Sequence, residues 1–511
     1  MTLGLALAGA VRFQFVLGDD AVYSPPATTG ASVRLPNSLM IAQVPLSDFD
    51  AFGLTDNGRV PVGSRIVMVD RPGDAEGVVD LTNGFVAAGR PDLSFDGQRV
   101  LFVGRRRDDA RQDVWELKLS SRAVRRVLQC QQDCERAVYL STLFTINARR
   151  PEPRIAIVSR EDSSSPTEIY TCRTDGDDLR RITFAPYGAR DPFLLSDGRL
   201  LFVMARSSVP PNEDRRMARQ HRHTAWFTVN VDGTDLLPFA AVHEPPAQRV
   251  MACETTDDRV VYLEAPVTGK GDGNALISVS RTRSLRTRQV VLAGGETDYH
   301  SPVALPGARL MVSIRRDGDP SKRTFGVSVL DPARPTRLQP VYDDPDWHDV
   351  YARAIAPRVE PVGRSSVVQH RDGFGELYCL DAYRTGLEIG HGSGANHISH
   401  VRIERFDNDD ALPLGEVPVE SDGSFFVELP AGVPIRLATR TDQGDVLQAM
   451  SSWFWVMPGE RRGCIGCHED RELAPPNVHA YALRKLPLRI GGATDAEKET
   501  GQPGDVGGRS K

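Results

Sequence analysis

No stretch of the 511-residue chain approaches the roughly 20 consecutive apolar residues that a membrane-spanning helix needs, so no membrane span is expected. An excess of positive charge is also missing. Against 62 Lys and Arg stand 68 Asp and Glu, a formal net charge of −6, which leaves no basic field for a phosphate backbone, and nucleic acid is not expected as a partner. Arg105–Arg107 and the run 212–223 are local exceptions, read as solvated loops. Cysteine is scarce, seven residues in all, and only one C-x-x-C occurs. The N-terminus lacks a positively charged start, yet MTLGLALAGAV (1–11) resembles the end of a signal-peptide apolar region, with a small-residue cleavage pattern at Ala8-Gly9-Ala10. Residues 1–34 are therefore expected to be a lead segment or the remnant of a signal peptide.

What is present is a repeat. The outer-hairpin pattern RIVMVDRPGDAEGVVDL at Arg65 recurs at Asp113, Glu168, Ala225, Ala275 and Phe325, with a period near fifty. Between these copies lies a second unit, RPDLSFDGQRVLFVG at Arg90, repeated at Arg190, Val250 and His300 and degenerate near Ala137. Each copy sets an apolar run after an Asp-Gly turn or its equivalent, where glycine permits the positive φ of a hairpin reversal. Two hairpins per period make four strands, the signature of a β-propeller. The Arg65 hairpin has no clear inner partner before it, whereas 351–358 offers a strand with no outer hairpin after it. Joining the two closes a six-bladed ring; GELYCLDAY from Gly375 would supply a seventh blade if it formed a further outer hairpin.

Near Arg371 the period fails. Short strand-like runs at 376–383, 400–406, 414–420, 424–429, 435–440 and 446–450 predict an antiparallel β-sandwich-like domain. The expected organisation is an all-β propeller over 35–370, a sandwich over 371–490 and a disordered tail over 491–511.

The sandwich leads into GERRGCIGCHEDRELAPPN (459–477), where Cys464, Cys467 and His468 form C-x-x-C-H. Two cysteines at this spacing can each add a thiol to a haem vinyl group, and the next histidine can then ligate the iron. Roughly 0.002 chance occurrences are expected in a chain of this composition, so coincidence does not explain the motif. Trp453 to Met457 upstream supply apolar packing for a porphyrin. Two other chemistries stay open: a zinc half-site completed by Cys379, His391, His397 or His400, and a thioredoxin-like pair, which wants a helix N-terminus that an all-β chain does not offer. With haem present, the second axial position separates electron transfer from small-molecule chemistry; candidates are Met450, Met457, His479 and the histidines of HGSGANHISH (391–400). Cys130, Cys134, Cys172, Cys253 and Cys379 remain outside the motif. Oxidising conditions would permit disulfides among them, although a buried thiol is the commoner fate of each.

The S-D-G and F-D-G turns resemble the repeat of TolB-type propellers over residues 65–360. Together with LGEVPVESDGSFFVELPAG and SWFWVMPGERRGCIGCHEDRELAPPN, the chain resembles the hydrazine synthase alpha subunit family over most of 35–480. The resemblance implies one c-type haem on the middle domain, attached through Cys464 and Cys467, in a redox complex outside the cytoplasm, that is, the periplasm or its equivalent. It further implies that His468 binds zinc while a downstream tyrosine ligates iron. Between His468 and Tyr481 there is no tyrosine; Glu472 stands near the expected place. The family also carries a second haem in a further C-terminal domain, which has no counterpart in this sequence. The expectation is an exported monohaem c-type cytochrome in electron transfer or small-molecule redox chemistry, an oxidoreductase subunit with redox partners, and not hydrazine synthesis itself. The alternative is a propeller interaction module with structural zinc at C-x-x-C-H.

Overall fold

Apolar runs that alternate with polar positions around Asp-Gly turns can satisfy their backbone only by pairing with each other, and they do so as meanders. The computed structural model describes residues 38–46, 58–70, 77–145, 150–207, 222–242, 244–267, 273–295, 297–316, 324–335, 337–384, 397–408, 410–466 and 479–491; the 491–511 tail, apart from its first residue, and the lead segment 1–34 lie outside them. Among these residues the only helical element beyond isolated turns is a 3-10 turn at Ala482–Arg484.

Six sheets follow one another from residue 38 to residue 354, each built on a four-stranded antiparallel meander; the first takes its innermost strand, Trp347–Ala354, from the end of the repeat, and the third gains a fifth strand, Arg364–Ser365, parallel to Arg136–Phe144. The second runs Ala87–Leu93, Arg99–Arg105, Asp113–Lys118, Val124–Leu128. The others repeat that plan, and their innermost strands, beginning at Ala87, Arg136, Ala189, Ala247, Thr297 and Trp347, touch in turn around a closed ring. This is the propeller expected from the repeat. The first sheet closes it: Trp347–Ala354 pairs antiparallel with Ser38–Pro45, which pairs with Arg65–Asp70. Ser38–Pro45 corrects the reading of the Arg65 hairpin as having no partner before it. Its sequence, SLMIAQVP, is buried along almost its whole length and lacks polar alternation, so the period-two signal is absent.

The closing pair carries a buried carboxylate. Asp349 Oδ1 accepts from Gln43 Nε2 at 3.0 Å and its Oδ2 from the Asp344 amide at 2.7 Å. Burial, helped by the Asp344 and Asp343 charges, pushes the group from its ordinary 3.8 up to about 7. A carboxyl whose folded pKa is raised binds more protons folded than unfolded. Its contribution is thus present below the ordinary value and is lost as pH rises through about 7. Asp349→Asn is expected to gain on the wild type between about pH 4 and pH 8, by on the order of 2–4 kcal/mol at the upper end. Thermal unfolding of both across that range checks it; a difference independent of pH would count against it.

Arg105 does not lie in a solvated loop. It ends a strand, is buried, and donates from Nη1 to the Val60 carbonyl at 2.8 Å, while Arg106 covers Phe85 and Trp115 at 5.0 Å. The run at 212–223 is described only from Arg222.

Two further four-stranded sheets form the sandwich. One is ordered Arg461–Gly466, Phe374–Asp381, Phe425–Pro430, Leu488–Arg489; the other Asp410–Pro418, His400–Asp407, Ile435–Arg440, Val446–Ala449. GELYCLDAY therefore belongs here. The first of these sheets is not purely antiparallel, because both its outer strands pair parallel to their neighbours. The core is shared: Val138, Ile182, Phe202 and Val231 of the propeller pack in one apolar cluster with Leu377, Val427, Trp455 and Met457.

Candidate functional site

The segment before the motif is buried but is not a strand. Trp453, Phe454, Trp455, Val456 and Met457 are all buried, and a single bridge, Ile435 to Phe454, is its only ladder contact. Its side-chain partners lie in both parts: Trp453 packs on Phe406 of the sandwich at 5.4 Å, and Trp455 faces the propeller. Trp455 packs edge-on against Phe184 at 5.9 Å and donates from Nε1 to the Gly233 carbonyl at 3.2 Å. Gly233 sits at φ +91°, and a Cβ there would lie 2.8 Å from the Met457 sulfur. Only glycine fits both the turn and the contact. Met457 is thereby packed in the core against this turn.

Glu460 joins the same turn to the motif strand. Its Oε1 accepts from the Asp235 amide at 2.8 Å and its Oε2 from the Met457 amide at 2.7 Å. Burial raises its pKa against the opposing pull of Arg462. Arg462 is buried, donates from Nη2 to the Leu236 carbonyl, and lies over the Phe454 ring at 5.2 Å. These residues carry no sequence signal of their own, because Val-Asp-Gly-Thr-Asp (231–235) looks like any other hairpin turn of the repeat.

Arg461–Gly466 is an edge strand in register with Phe374–Asp381, which sets Cys464 directly opposite Cys379. Cys379 is buried in the shared core, and Cys464 is partly buried against it. The strand is held closely. A Cβ at Gly463 would fall 2.5 Å from the Tyr378 ring, and one at Gly466 2.1 Å from the Arg384 carbonyl oxygen.

Cys467, His468, His391 and Glu472 lie outside the described residues. The described ends of their segments converge. Gly466, the residue before Cys467, packs on Arg384, the last residue described before the HGSGANHISH stretch. That stretch returns at His397, whose Nδ1 is 2.9 Å from the Tyr383 hydroxyl. The chain returns after the motif at His479, and the next residues dock on the Ser421-Asp422-Gly423 turn: the Tyr481 amide donates to Asp422 Oδ2 at 2.7 Å and the Ala482 amide to Ser424 Oγ at 3.0 Å. Gly423 in that turn abuts Asp381 and Tyr383. His397, His400 and His479 are exposed, and His400 Nδ1 sits 3.0 Å from Ser399 Oγ. Met450 is partly buried on the core. Among the described residues no three His, Cys, Asp or Glu side chains form a metal-binding group, so the zinc set of Cys379, His397, His400 and His479 is not assembled by these residues alone.

Away from the site, Cys130 and Cys134 form a disulfide, which replaces the expectation of buried thiols there. Cys172 and Cys253 do keep buried thiols, each pushed up to about 12 by burial.

Residues 381–469 match the hydrazine synthase alpha subunit middle domain. That span opens in the Asp381–Arg384 turn and closes one residue past the C-x-x-C-H motif. The chain is hydrazine synthase alpha-like. Hydrazine synthase subunit alpha of Kuenenia stuttgartiensis is 24% identical over 544 residues, covering 83% of this chain and 65% of that protein. The chain thus spans less than two thirds of the length of this curated relative. The solved Kuenenia stuttgartiensis hydrazine synthase shares the fold at a TM-score of 0.74 and 20% identity, over 90% of this chain and 75% of that one. TolB from Acinetobacter baumannii matches at a TM-score of 0.42 and 9% identity, over 62% of this chain and 66% of that one.

Proposed function

We propose that this hydrazine synthase alpha-like chain is an exported redox subunit carrying one c-type haem on Cys464 and Cys467, with His468 as ligand to the iron or to a neighbouring zinc. The observation that carries the reading is the complete C-x-x-C-H at the end of the matched middle domain. The described half of the motif fits the group. Cys464 lies near the end of an edge strand, partly accessible, with both adjoining elements fixed by Tyr378 and Arg384. A bound haem would supply a one-electron couple or an iron face for a small molecule. Trp455, Glu460 and Arg462 would keep its attachment strand rigid against the propeller. The Cys130–Cys134 disulfide is in keeping with an oxidising compartment such as the periplasm. Association with other subunits is in keeping with the relative, a subunit of hydrazine synthase. The reading does not extend to hydrazine synthesis, since Glu472 stands where the resemblance calls for tyrosine.

A zinc reading is kept for one reason: the register sets Cys379 opposite Cys464 on adjoining strands, and a structural zinc prefers cysteine ligands. A pyridine haemochrome assay on protein matured in the periplasm decides. One covalent haem per chain is expected, lost in Cys464→Ala and in Cys467→Ala. Stoichiometric zinc without a Soret band would select the alternative and overturn the haem assignment.

A further inference from the structure

The six innermost propeller strands share a local irregularity whose consequence is a charged axis. Each pairing slips by one step near its middle, at Gly89/Asp92, Tyr139/Thr142, Arg190/Phe193, Val250/Cys253, His300/Val303 and, in the closing pair, beside Tyr351. The first residue of the bulge takes a left-handed φ at Arg90, Asp191, Met251, Ser301 and Tyr351. None is glycine, so each of these positions is strained. The bulges interlock. Asp191 accepts the Met251 amide, the Met251 sulfur accepts the Ser301 amide at 3.4 Å, and Ser301 Oγ accepts the Tyr351 amide at 2.7 Å.

Side chains from these positions meet across the ring. Arg136, in the third sheet, pairs with Asp191 of the fourth and lies 5.9 Å from the ring of Tyr351 in the first. Arg90, in the second sheet, donates to the Glu135 carbonyl at 2.7 Å, and its charge acts on Tyr351. Contacts between sheets one and three bypass the sheet between them, so they occur on the axis. The axis is reached by solvent: the Arg136, Asp191 and Arg353 side chains remain 16%, 12% and 18% exposed.

The charges there do not balance. Arg353 and Arg358 share Asp92, at 3.4 and 3.6 Å. Asp191 is taken by Arg136, and among the described residues Arg90 has no ion pair. Burial, with the Arg358 and Arg136 charges, pulls the Arg353 pKa down despite Asp92. An enclosed, self-repelling set of guanidiniums is costly unless a counter-charge completes it, and the chain's overall −6 shows that the cationic excess is local.

We propose that the propeller axis binds a small planar oxyanion, a carboxylate or an inorganic oxyanion, between the guanidinium groups of Arg90, Arg136 and Arg353. A guanidinium fork offers two parallel, coplanar N–H donors, which match the two coplanar oxygens of a carboxylate or of nitrate. Neither the haem nor the C-x-x-C-H motif takes part, so the site is independent of the function proposed above.

The test is calorimetric titration of the full chain in a chloride-free zwitterionic buffer at fixed ionic strength. Sodium nitrate and sodium formate are expected to saturate a single site at millimolar concentration or below. Tighter nitrate assigns an inorganic source and tighter formate a carboxylate. Arg90→Met and Arg353→Met are each expected to weaken binding by about tenfold or more, the loss of one charge-assisted contact. No saturable uptake by the wild type overturns the proposal, a result that needs no variant to fold. Equal binding in folded variants, matched by circular dichroism, also overturns it and leaves an unspecific salt effect.

Discussion

Trp455→Ala is expected to remove about 3–5 kcal/mol of unfolding free energy, the range for truncating a fully buried large aromatic that leaves a cavity its surroundings cannot fill. The site has no slack. The indole is completely buried between the sandwich and the propeller, in edge contact with Phe184 and with the Gly233 carbonyl accepting its N–H. Both flanking elements are themselves pinned, the first by the Gly432–Val456 and Ile435–Phe454 backbone bonds and the second by the 231–235 turn. Trp455→Phe keeps most of the packing and loses one hydrogen bond, so about 1 kcal/mol plus the volume difference is expected. Urea unfolding of the two variants checks both numbers. A loss below about 1 kcal/mol for the alanine variant would show that the sandwich does not depend on this contact.

The second large effect concerns Glu460. Glu460→Ala strips the acceptor from the buried Met457 amide and the partly buried Asp235 amide, and leaves the buried Arg462 guanidinium without its nearby opposing charge. Breaking such an arrangement from one side costs about 3–5 kcal/mol, because a buried charge is left uncompensated. Replacing both charged groups with apolar ones is far milder. Glu460→Leu combined with Arg462→Met should therefore recover at least about 1 kcal/mol over Glu460→Leu alone, a coupling that a double-mutant cycle measures directly. Strictly additive losses would mean that the two side chains act independently. The consequence for function is positional: Glu460 and Arg462 flank the start of Arg461–Gly466, so the strand carrying Cys464 is set by a turn of the propeller rather than by the sandwich alone.

These couplings explain where reading the chain by eye succeeds and stops. The hairpin starts near 65, 113, 168, 225, 275 and 325 correspond to observed strands because their causes are local: an Asp-Gly reversal, then alternation of apolar and polar residues. Ser38–Pro45 escapes for the opposite reason. Buried along nearly its whole length, it has no alternation to reveal it. The sandwich strands at 400–407 and 425–430 are visible for the same local reasons, whereas Arg461–Gly466 is not, since two arginines and two glycines in six residues look like a loop. It is a strand because Phe374–Asp381 offers it a free edge. Trp453–Met457 is aromatic and apolar yet forms no strand, because its surface is buried in the core shared by propeller and sandwich.

By itself, then, the sequence determined the all-β class, the fifty-residue repeat and the chemistry open to Cys464, Cys467 and His468, all written in neighbouring residues. Tertiary structure alone decided the ring closure through Ser38–Pro45, the Cys130–Cys134 bond, the seating of Cys464 beside Cys379, the grip of the 231–235 turn on Glu460, and the meeting of Arg90, Arg136 and Tyr351 on the axis. Most of these contacts join residues tens to hundreds of positions apart. Their partners are chosen by which sheet edge or which face of the ring is left unfilled once the local hairpins have formed, and no short-range pattern carries that information.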